Sequence, residues 1–449
     1  MRYFQHCFGL FSLCALAAVL PSALPGAEQD LRSEIDRLVR SDASSPGGSL
    51  LVVRKGKIIV QRGYGFADVE REIRNKPETC FRIGSITKCF TALAILQLHE
   101  AGALNISDPV AKYLPAYPNA EKLSIRHLLT HTAGVSADRR GTLAFSPGDR
   151  VDYSNEGYML LGQIVEKVSG RTYGDYLRDR IFVPLGMASS GVDPGDALIK
   201  DRARGYVAGP DGSFRSVPST DASGAFSAGS LYSTVQDLLA FDQALYGEKI
   251  VKQATLREAF TPVKLNDGRE GLYGYGWMLR NFRGLKEVGH GGDIEGFNSY
   301  LLRFPEQECT VIVLCNVSMH ARGNLPTAGE LAHRIAAVVL GDTLKPEATP
   351  DAVAIDSETM NRYVGVYEYD APPQFLERTG KTLTVVREGN ALFGIDKMGK
   401  AELVPESKTQ FAPKGSPVKL IFRTDPQGSA TEVLLNITGL KEISARRVR

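Results

Sequence analysis

Strand-like segments at both ends of a long helical stretch constrain the fold of this chain more than any other feature. Residues 49–65, SLLVVRKGKIIVQRGYG, have the pattern of two β-strands joined by a tight turn. Two strand-like runs near 285–289 and 297–304 precede a third at 309–317, CTVIVLCNV. Because helical patterns fill the sequence between the two groups, we predict one α+β domain whose first and last strands share a sheet.

The segment SITKCFTALAILQLHEAG, residues 85–102, has the pattern of a well-buried helix. It is apolar at Ile86, Phe90, Leu93 and Leu96, and it ends in a glycine of the kind that terminates helices. Ser85 therefore stands at the predicted start of the helix. Further helices are predicted at about 124–131, 156–168, 174–182 and 233–245.

The chain has 449 residues, which is too long for one typical domain and long enough for two. Residues 341–356 contain a glycine and two prolines without a hydrophobic period, which is typical of a linker. Beyond them, short strand-like runs separated by Gly, Pro, Asn or Asp predict a small all-β barrel or sandwich. We therefore predict a first domain at 28–340 and a second at 357–449.

Residues 1–27 have the layout of a secretory signal. Arg2 precedes fourteen mostly apolar residues, Cys7–Leu20, and small residues and prolines follow. This run is too short to span a bilayer comfortably, and cleavage is expected after Ala23 or Ala27. We expect an exported protein, periplasmic or secreted, with no transmembrane anchor once the signal is removed.

Composition excludes one class of partner and says little about disulfides. Hydrophobic residues make up 43%, charged residues make up 23% and the net charge is +2, which argues against a surface that coats nucleic acid. Four cysteines follow the signal segment: Cys80, Cys89, Cys309 and Cys315. Buried free thiols are favoured over a disulfide framework, including a bridge between Cys80 and Cys89.

The stretch FRIGSITK, residues 81–88, places Ser85 three residues before Lys88. A second Ser-x-x-Lys, Ser416 to Lys419, lies in a strand pattern that puts its two side chains on opposite faces, so the spacing alone means little. On a helix, residues three apart share a face, and a neutral lysine could take the serine proton. The alternative is an N-capping serine beside a solvated lysine.

Tyr153, Ser154 and Asn155 form a loop before an amphipathic helix. A tyrosine close to lysine can shuttle protons, and an asparagine can bind a substrate amide. Alternatively, Ser154 or Asn155 caps the helix and Tyr153 is simply packed.

His290, Gly291 and Gly292 form a third candidate stretch. Two glycines allow backbone to approach a ligand closely, so the N–H of Asp293 could complete an oxyanion hole with the N–H of Ser85. A glycine-rich hairpin is the competing interpretation.

Taken together, the three stretches resemble the β-lactamase-related, penicillin-recognising serine hydrolases, which carry Ser-x-x-Lys, Tyr-x-Asn and Lys/His-x-Gly in this order. The resemblance covers roughly residues 30–340. It extends to LLTHTAGV (128–135), YSNEGYMLLGQIVEKVSG (153–170), IFVPLGM (181–187) and SAGSLYSTVQDLLAF (227–241). It implies a β-lactamase/transpeptidase-like fold, an antiparallel sheet flanked by a helical region. The C-terminal segment resembles the lipocalin-like β-barrel domain often appended to these hydrolases.

The resemblance implies that Ser85 is the nucleophile, Lys88 activates it and Tyr153 shuttles the proton. Asn155 would contact the substrate amide, and His290, Gly291, Gly292 and Asp293 would also bind the small-molecule substrate. The implied reaction is acyl transfer to Ser85 followed by hydrolysis, with no metal and no cofactor.

One departure from the family pattern bears on the substrate. Many relatives have Lys-Thr-Gly where this chain has His290-Gly291-Gly292, which lacks a fixed positive charge and the threonine hydroxyl. An esterase or D-amino-acid peptidase is therefore favoured. The alternatives are a class C-like β-lactamase, a D-Ala-D-Ala carboxypeptidase, and a receptor that binds penicillin or peptidoglycan fragments without turnover.

His127 and His131 lie four residues apart on a predicted helix, a spacing that could serve zinc. No third ligand stands at a suitable spacing. Because His131 belongs to LLTHTAGV, a structural role is favoured.

Overall fold

The structure is a computed structural model, and it describes residues 26–39, 45–135, 141–195, 199–209, 213–218, 223–318, 326–346, 355–370, 379–397, 399–414, 418–436 and 443–449. Most of the predicted signal segment, the middle of the predicted linker and Ser416 lie outside these described residues.

The main helices and strands follow one another in the order that the sequence patterns predict. The helices are α1 (Gly26–Leu38), α2 (Thr87–Glu100), α3 (Ile125–Leu129), α4 (Asn155–Ser169), α5 (Tyr173–Leu177), α6 (Val183–Leu185), α7 (Phe226–Gly229), α8 (Val235–Ala244), α9 (Gln253–Ala259), α10 (Ala328–Val339) and α11 (Ser357–Tyr363). The strands before α10 are β1 (Gly48–Arg54), β2 (Lys57–Tyr64), β3 (Phe66–Asp68), β4 (Ile73–Arg74), β5 (Phe81–Arg82), β6 (Gly191–Val192), β7 (Tyr206–Ala208), β8 (Phe214–Ser216), β9 (Leu231–Ser233), β10 (Met278–Phe282), β11 (Leu285–Ile294), β12 (Phe297–Phe304) and β13 (Cys309–Cys315).

The central element is a six-stranded antiparallel sheet in the order β10-β11-β12-β13-β1-β2. The first long strand, β1, pairs with the last, β13, from Gly48 opposite Cys315 to Arg54 opposite Cys309. The prediction that strands from both ends of the domain share a sheet is therefore confirmed, as is the α+β class with an antiparallel sheet.

Both faces of the sheet are buried at its inner strands β1, β12 and β13, whose residues are almost all buried. Alternate residues of a strand point to opposite faces, so Leu50 and Val52 pack against α1 and α10 while Leu51 and Val53 pack toward α2. The three short sheets β3-β4, β5-β9-β6 and β7-β8 lie outside the central sheet.

The C-terminal segment forms a closed antiparallel barrel. Its strands are β14 (Gly365–Asp370), β15 (Thr382–Glu388), β16 (Ala391–Asp396), β17 (Gly399–Pro405), β18 (Gln410–Pro413), β19 (Lys419–Thr424), β20 (Ala430–Asn436) and β21 (Ile443–Arg447). Each strand pairs with its neighbour, and β14 pairs with β21 to close the ring. Stacked and edge-on aromatic rings of Tyr363, Tyr367, Phe411 and Phe422 fill the interior. Of the two predicted architectures, the barrel is confirmed.

Two further predictions concern cysteines and membrane spans. Cys80, Cys89, Cys309 and Cys315 are free thiols, and all but Cys315 are buried. Among the described residues, no helix has the length and apolar character needed to cross a bilayer.

A buried ion pair joins helix α8 to the sheet. Arg303 of β12 donates to the carboxylate of Asp242, which also accepts a 3.0 Å hydrogen bond from Thr310 of β13. The side chains of Arg303 and Asp242 are 1% and 0% exposed. Removing one partner of such a pair leaves the other charge buried without compensation.

We expect Asp242→Ala to lower the free energy of unfolding by about 3–5 kcal/mol, because Arg303 would remain buried and charged. Urea denaturation followed by circular dichroism measures the change. The matched control is Asp267→Ala, which removes the partner of Arg269 in a solvent-exposed pair and should leave stability close to that of the wild type. Equal stability of the Asp242 variant and the control would contradict the assignment.

Candidate functional site

Ser85 and Lys88 meet at the start of α2. Ser85 lies in a 3-10 turn, Gly84–Ile86, that leads directly into the helix, and Lys88 Nζ is 3.0 Å from Ser85 Oγ. Ser85 is partly exposed, whereas Lys88 is fully buried. No side chain caps the helix at this end. The alternative of a capping serine beside a solvated lysine is therefore excluded.

Lys88 is surrounded by hydrogen-bond acceptors and aromatic rings. Besides Ser85, its Nζ donates to Asn155 Oδ1 at 2.8 Å and to the carbonyl oxygen of Ala228 at 2.7 Å. The ring centroids of Tyr153 and Tyr158 lie 4.7 and 5.6 Å from Nζ. Burial disfavours the ammonium form and lowers the pKa of Lys88 from 10.5 to about 7.

The two remaining partners of Lys88 decide where a neutral amine would direct its lone pair. Asn155 Oδ1 and Ala228 O can only accept, so each takes one of the two N–H bonds of the neutral amine. The lone pair is then left for the third partner, Ser85 Oγ, whose hydroxyl can donate. The site is thus arranged so that loss of one proton from Lys88 produces a base aimed at Ser85.

Helix α7 is held so that the carbonyl of Ala228 reaches Lys88. Thr91 of α2 donates to the carbonyl of Ser227 at 2.7 Å, and the hydroxyl of Ser227 donates to the carbonyl of Tyr158 on α4 at 2.8 Å. A Cβ on Gly162 of α4 would stand 2.1 Å from Ser227 Oγ, so this close approach requires glycine.

The loop at 153–155 combines a structural role with contacts to Lys88. Ser154 caps α4, because its hydroxyl accepts from the N–H of Gly157 at 3.1 Å. Its neighbours Tyr153 and Asn155 both contact Lys88, through the tyrosine ring and the amide oxygen. Capping thus explains Ser154, whereas Tyr153 and Asn155 both lie against Lys88.

Strand β11 passes beside the turn that carries Ser85. A Cβ on Gly84, which has a φ of +50°, would stand 2.9 Å from the backbone nitrogen of Asp293, and one on Gly292 would stand 1.9 Å from the carbonyl oxygen of Ile83. The hydroxyl of Ser299 on β12 donates to that same carbonyl at 2.8 Å. The two glycines therefore permit a backbone-to-backbone contact between β11 and the Ser85 turn.

The side chain of His290 is fully buried and does not reach solvent. Its Nε2 is 2.7 Å from the hydroxyl of Tyr273, and its Nδ1 is 2.6 Å from the carbonyl oxygen of Gly291. Because a carbonyl can only accept, Nδ1 carries the proton and Nε2 accepts from Tyr273. Burial is the main cause that lowers the pKa of His290 from 6.5 to about 3, and the charge of nearby Lys88 is a second cause, so the imidazole is neutral. Direct contact between this side chain and a substrate stays a prediction.

The structure brings the predicted residues into one cluster with an open side and a buried side. Ser85, Tyr153, Asn155, Gly291 and Asp293 are partly or fully exposed, whereas Lys88, His290 and Gly292 are buried. Sequence reasoning missed Ala228, Tyr273 and Ser299 as contributors. The segment SAGSLYST offered a signal for Ala228, but a contact made by a backbone carbonyl leaves no trace in residue type.

Comparisons with known proteins give a consistent result. The profile of the family described as Beta-lactamase matches residues 35–333. A penicillin-binding protein of Bacillus subtilis (strain 168) is 30% identical over 441 residues, covering 89% of this chain and 94% of that protein. The octameric penicillin-binding protein homologue from Pyrococcus abyssi has a TM-score of 0.63 at 27% identity and covers 93% of this chain and 99% of its own. D-amino acid amidase from Ochrobactrum anthropi has a TM-score of 0.60 at 27% identity, with coverage of 70% and 99%.

We expect Gly292→Ala to destabilise the protein by about 1–3 kcal/mol or more, because its methyl group would overlap the carbonyl oxygen of Ile83. Gly291→Ala is the matched control, since its Cβ would meet the ring of Tyr300 at 3.2 Å and the carbonyl oxygen of Ser299 at an ordinary contact distance of 3.8 Å. Urea denaturation of both variants measures the difference. A Gly292 variant as stable as the Gly291 variant would show that β11 does not contact the Ser85 turn this closely.

Proposed function

The chain belongs to the beta-lactamase family, and from that premise we propose that it is an exported serine hydrolase that forms an acyl-enzyme on Ser85 and hydrolyses a small ester or amide. In this proposal residues 28–340 form the hydrolase domain and 357–449 form a separate lipocalin-like domain. The observation that carries the proposal is the 3.0 Å contact between Ser85 Oγ and a buried Lys88 whose other two partners can only accept hydrogen bonds. The signal-like pattern of residues 1–27 supports export.

Acylation begins with proton transfer from Ser85 Oγ to the neutral amine of Lys88. The oxygen then attacks the carbonyl carbon of the substrate, and the carbonyl oxygen becomes negatively charged. The backbone N–H groups of Ser85 and Asp293 would stabilise this oxyanion. The proposal draws support from the close approach of β11 to the Ser85 turn.

Tyr153 is proposed to carry the proton to the leaving group. The Lys88 ammonium lies 4.7 Å from the centre of the tyrosine ring, so the phenol is close to the group that holds the proton after attack. Collapse of the tetrahedral intermediate releases the protonated alcohol or amine. Water then attacks the acyl-enzyme as Tyr153 and Lys88 take up its proton, and Ser85 regains its hydroxyl.

Neutrality of His290 favours an ester or amide without a recognised carboxylate. At the position where many relatives have lysine, His290 is fully buried and has a pKa of about 3. It therefore supplies no positive charge for a substrate carboxylate of the kind that β-lactams and D-Ala-D-Ala peptides present. The similarity to a D-amino acid amidase supports amides of D-amino acids as one substrate class.

A substrate panel tests the proposal. We expect the wild type to turn over p-nitrophenyl esters or D-amino-acid amides faster than a chromogenic cephalosporin, and Ser85→Ala to lose this activity. Ser416→Ala, which alters the second Ser-x-x-Lys, is the matched control and should keep it. Full activity of the Ser85 variant would refute the nucleophile. Labelling of Ser85 without turnover would instead favour a receptor, and preferred cephalosporin turnover would favour a β-lactamase.

The pKa of Lys88 predicts the pH dependence. Because only the neutral amine accepts the Ser85 proton, kcat/KM should be constant above pH 7 and fall about tenfold per unit below it. His290, with a pKa of about 3, does not titrate in this range. Tyr153→Phe should lower the plateau of kcat/KM by about 10²–10⁴-fold, because general acid–base catalysis by a side chain contributes a rate factor of about this size. The midpoint of the pH profile should stay near pH 7. A midpoint near the ordinary lysine pKa of 10.5 would contradict the role of Lys88.

A further inference from the structure

His131 has contacts that its position in the LLTHTAGV stretch does not explain. It follows α3, is 2% exposed and has a φ of +58°, a left-handed conformation that residues other than glycine adopt infrequently. Histidine is among the residues that tolerate this region better than most, yet such a conformation persists only where the surroundings impose it. The surroundings of His131 are the loop that carries Tyr153 and Asn155.

Two hydrogen bonds fasten that loop to His131. The N–H of Asp152 donates to the carbonyl oxygen of His131 at 2.8 Å, and the N–H of Ser154 donates to its Nδ1 at 3.0 Å. Because Nδ1 accepts, the ring proton of a neutral His131 is on Nε2. Both contacts lie directly before Asn155, where α4 begins.

The imidazole ring also packs against Tyr153 itself. The two ring centroids are 4.3 Å apart, while those of Tyr273 and Tyr158 are 4.4 and 4.9 Å from the imidazole. Within the described part of the chain, His131 Nε2 is buried and has no hydrogen-bond partner. Nδ1 of His131 therefore bonds the backbone of Ser154, and the imidazole ring packs against three tyrosine rings.

Burial and nearby charge keep the His131 imidazole in its neutral form. Burial, Lys88 and His290 together hold the pKa of His131 well below its usual range, so the ring stays neutral around pH 7. A protonated ring would present an N–H at Nδ1 to the N–H of Ser154 and lose the hydrogen bond that fastens the loop.

We propose that His131 is a positioning residue of the acyl-transfer site, which fixes Tyr153 by ring packing and fixes the start of α4 through the Ser154 N–H. This inference rests on the proposed function. It assigns His131 no contact with substrate. Its effect is to hold Tyr153 and Asn155 at the distances from Lys88 that the chemistry requires, since small misplacements of catalytic groups cost large factors in rate.

Two substitutions at His131 test separately the packing of its ring and the hydrogen-bond acceptor at Nδ1. His131→Asn keeps an acceptor near the position of Nδ1 and tolerates a positive φ, but it loses the ring. His131→Phe keeps a ring and loses the acceptor. We expect kcat to fall about 3- to 10-fold in the Asn variant and about 10- to 100-fold in the Phe variant, with KM changed less than about threefold.

A matched control and a normalisation keep a folding defect from imitating this result. His127→Asn alters the neighbouring histidine, which caps α3 with Ser124, and it should leave kcat unchanged. Each kcat is divided by the number of sites that a fluorophosphonate labels, so that misfolded molecules are not counted. Circular dichroism selects a temperature at which every variant is folded.

A double-mutant cycle supplies a readout that a purely structural role would not move. If His131 acts through Tyr153, His131→Asn should slow the wild type but have little further effect in a Tyr153→Phe background. Because the Asn variant keeps the acceptor and the backbone conformation, the cycle remains available even where the Phe variant does not fold.

Three results would overturn the inference: unchanged kcat per labelled site in the Asn and Phe variants, equal losses in both, or full additivity with Tyr153→Phe. The failure of the proposed function looks different. In that case Ser85→Ala keeps its activity and no site is labelled, whatever the His131 variants do.

Discussion

Burial of the Lys88 amine is the constraint on which the rest of the site depends. Transfer of an ammonium group out of water costs free energy. A fully buried lysine such as Lys88 therefore needs hydrogen-bond acceptors for its N–H groups, and its neutral form is favoured. Ser85, Asn155 and Ala228 are the hydrogen-bond partners of Lys88, and loss of hydration on burial favours the neutral amine. Burial lowers the pKa of Lys88 to about 7, and the two acceptors Asn155 and Ala228 leave the lone pair of the neutral amine for Ser85.

Each partner of Lys88 comes from a different part of the chain, so the fold has to bring three segments to one point. Ser85 belongs to the turn before α2, Asn155 begins α4 and Ala228 lies in α7. Side-chain hydroxyls join these segments by donating to backbone carbonyls. Glycines allow α4 to approach α7 and β11 to approach the Ser85 turn closely. Such contacts hold the candidate catalytic groups in a fixed geometry.

Two buried, neutral histidines lie close to Lys88 and hydrogen-bond to backbone groups of the candidate site. The Nδ1–H of His290 holds the carbonyl of Gly291 on β11, and Nδ1 of His131 accepts from the backbone of Ser154 before α4. Burial and the charge of Lys88 keep the pKa values of both rings low, so both serve as fixed hydrogen-bonding groups in the range where Lys88 titrates. Of these three side chains, only Lys88 then changes its ionisation state near neutral pH.

The residue patterns alone predicted the main elements: strands at the two ends of an α+β domain, an apolar helix starting at Ser85, and a run of short strands that forms either a barrel or a sandwich. These follow from local periodicity and turn residues, which each segment carries within itself. The sequence also identified Ser85, Lys88, Tyr153 and Asn155 as candidates, but left two meanings open for each motif. Only the tertiary structure decided between a solvated and a buried Lys88, because the groups that bury it lie 67 and 140 residues away in the chain. It also decided that His290 is buried and that a backbone carbonyl completes the site. Burial and backbone contacts depend on distant segments packing together, and no local pattern of residue types encodes them.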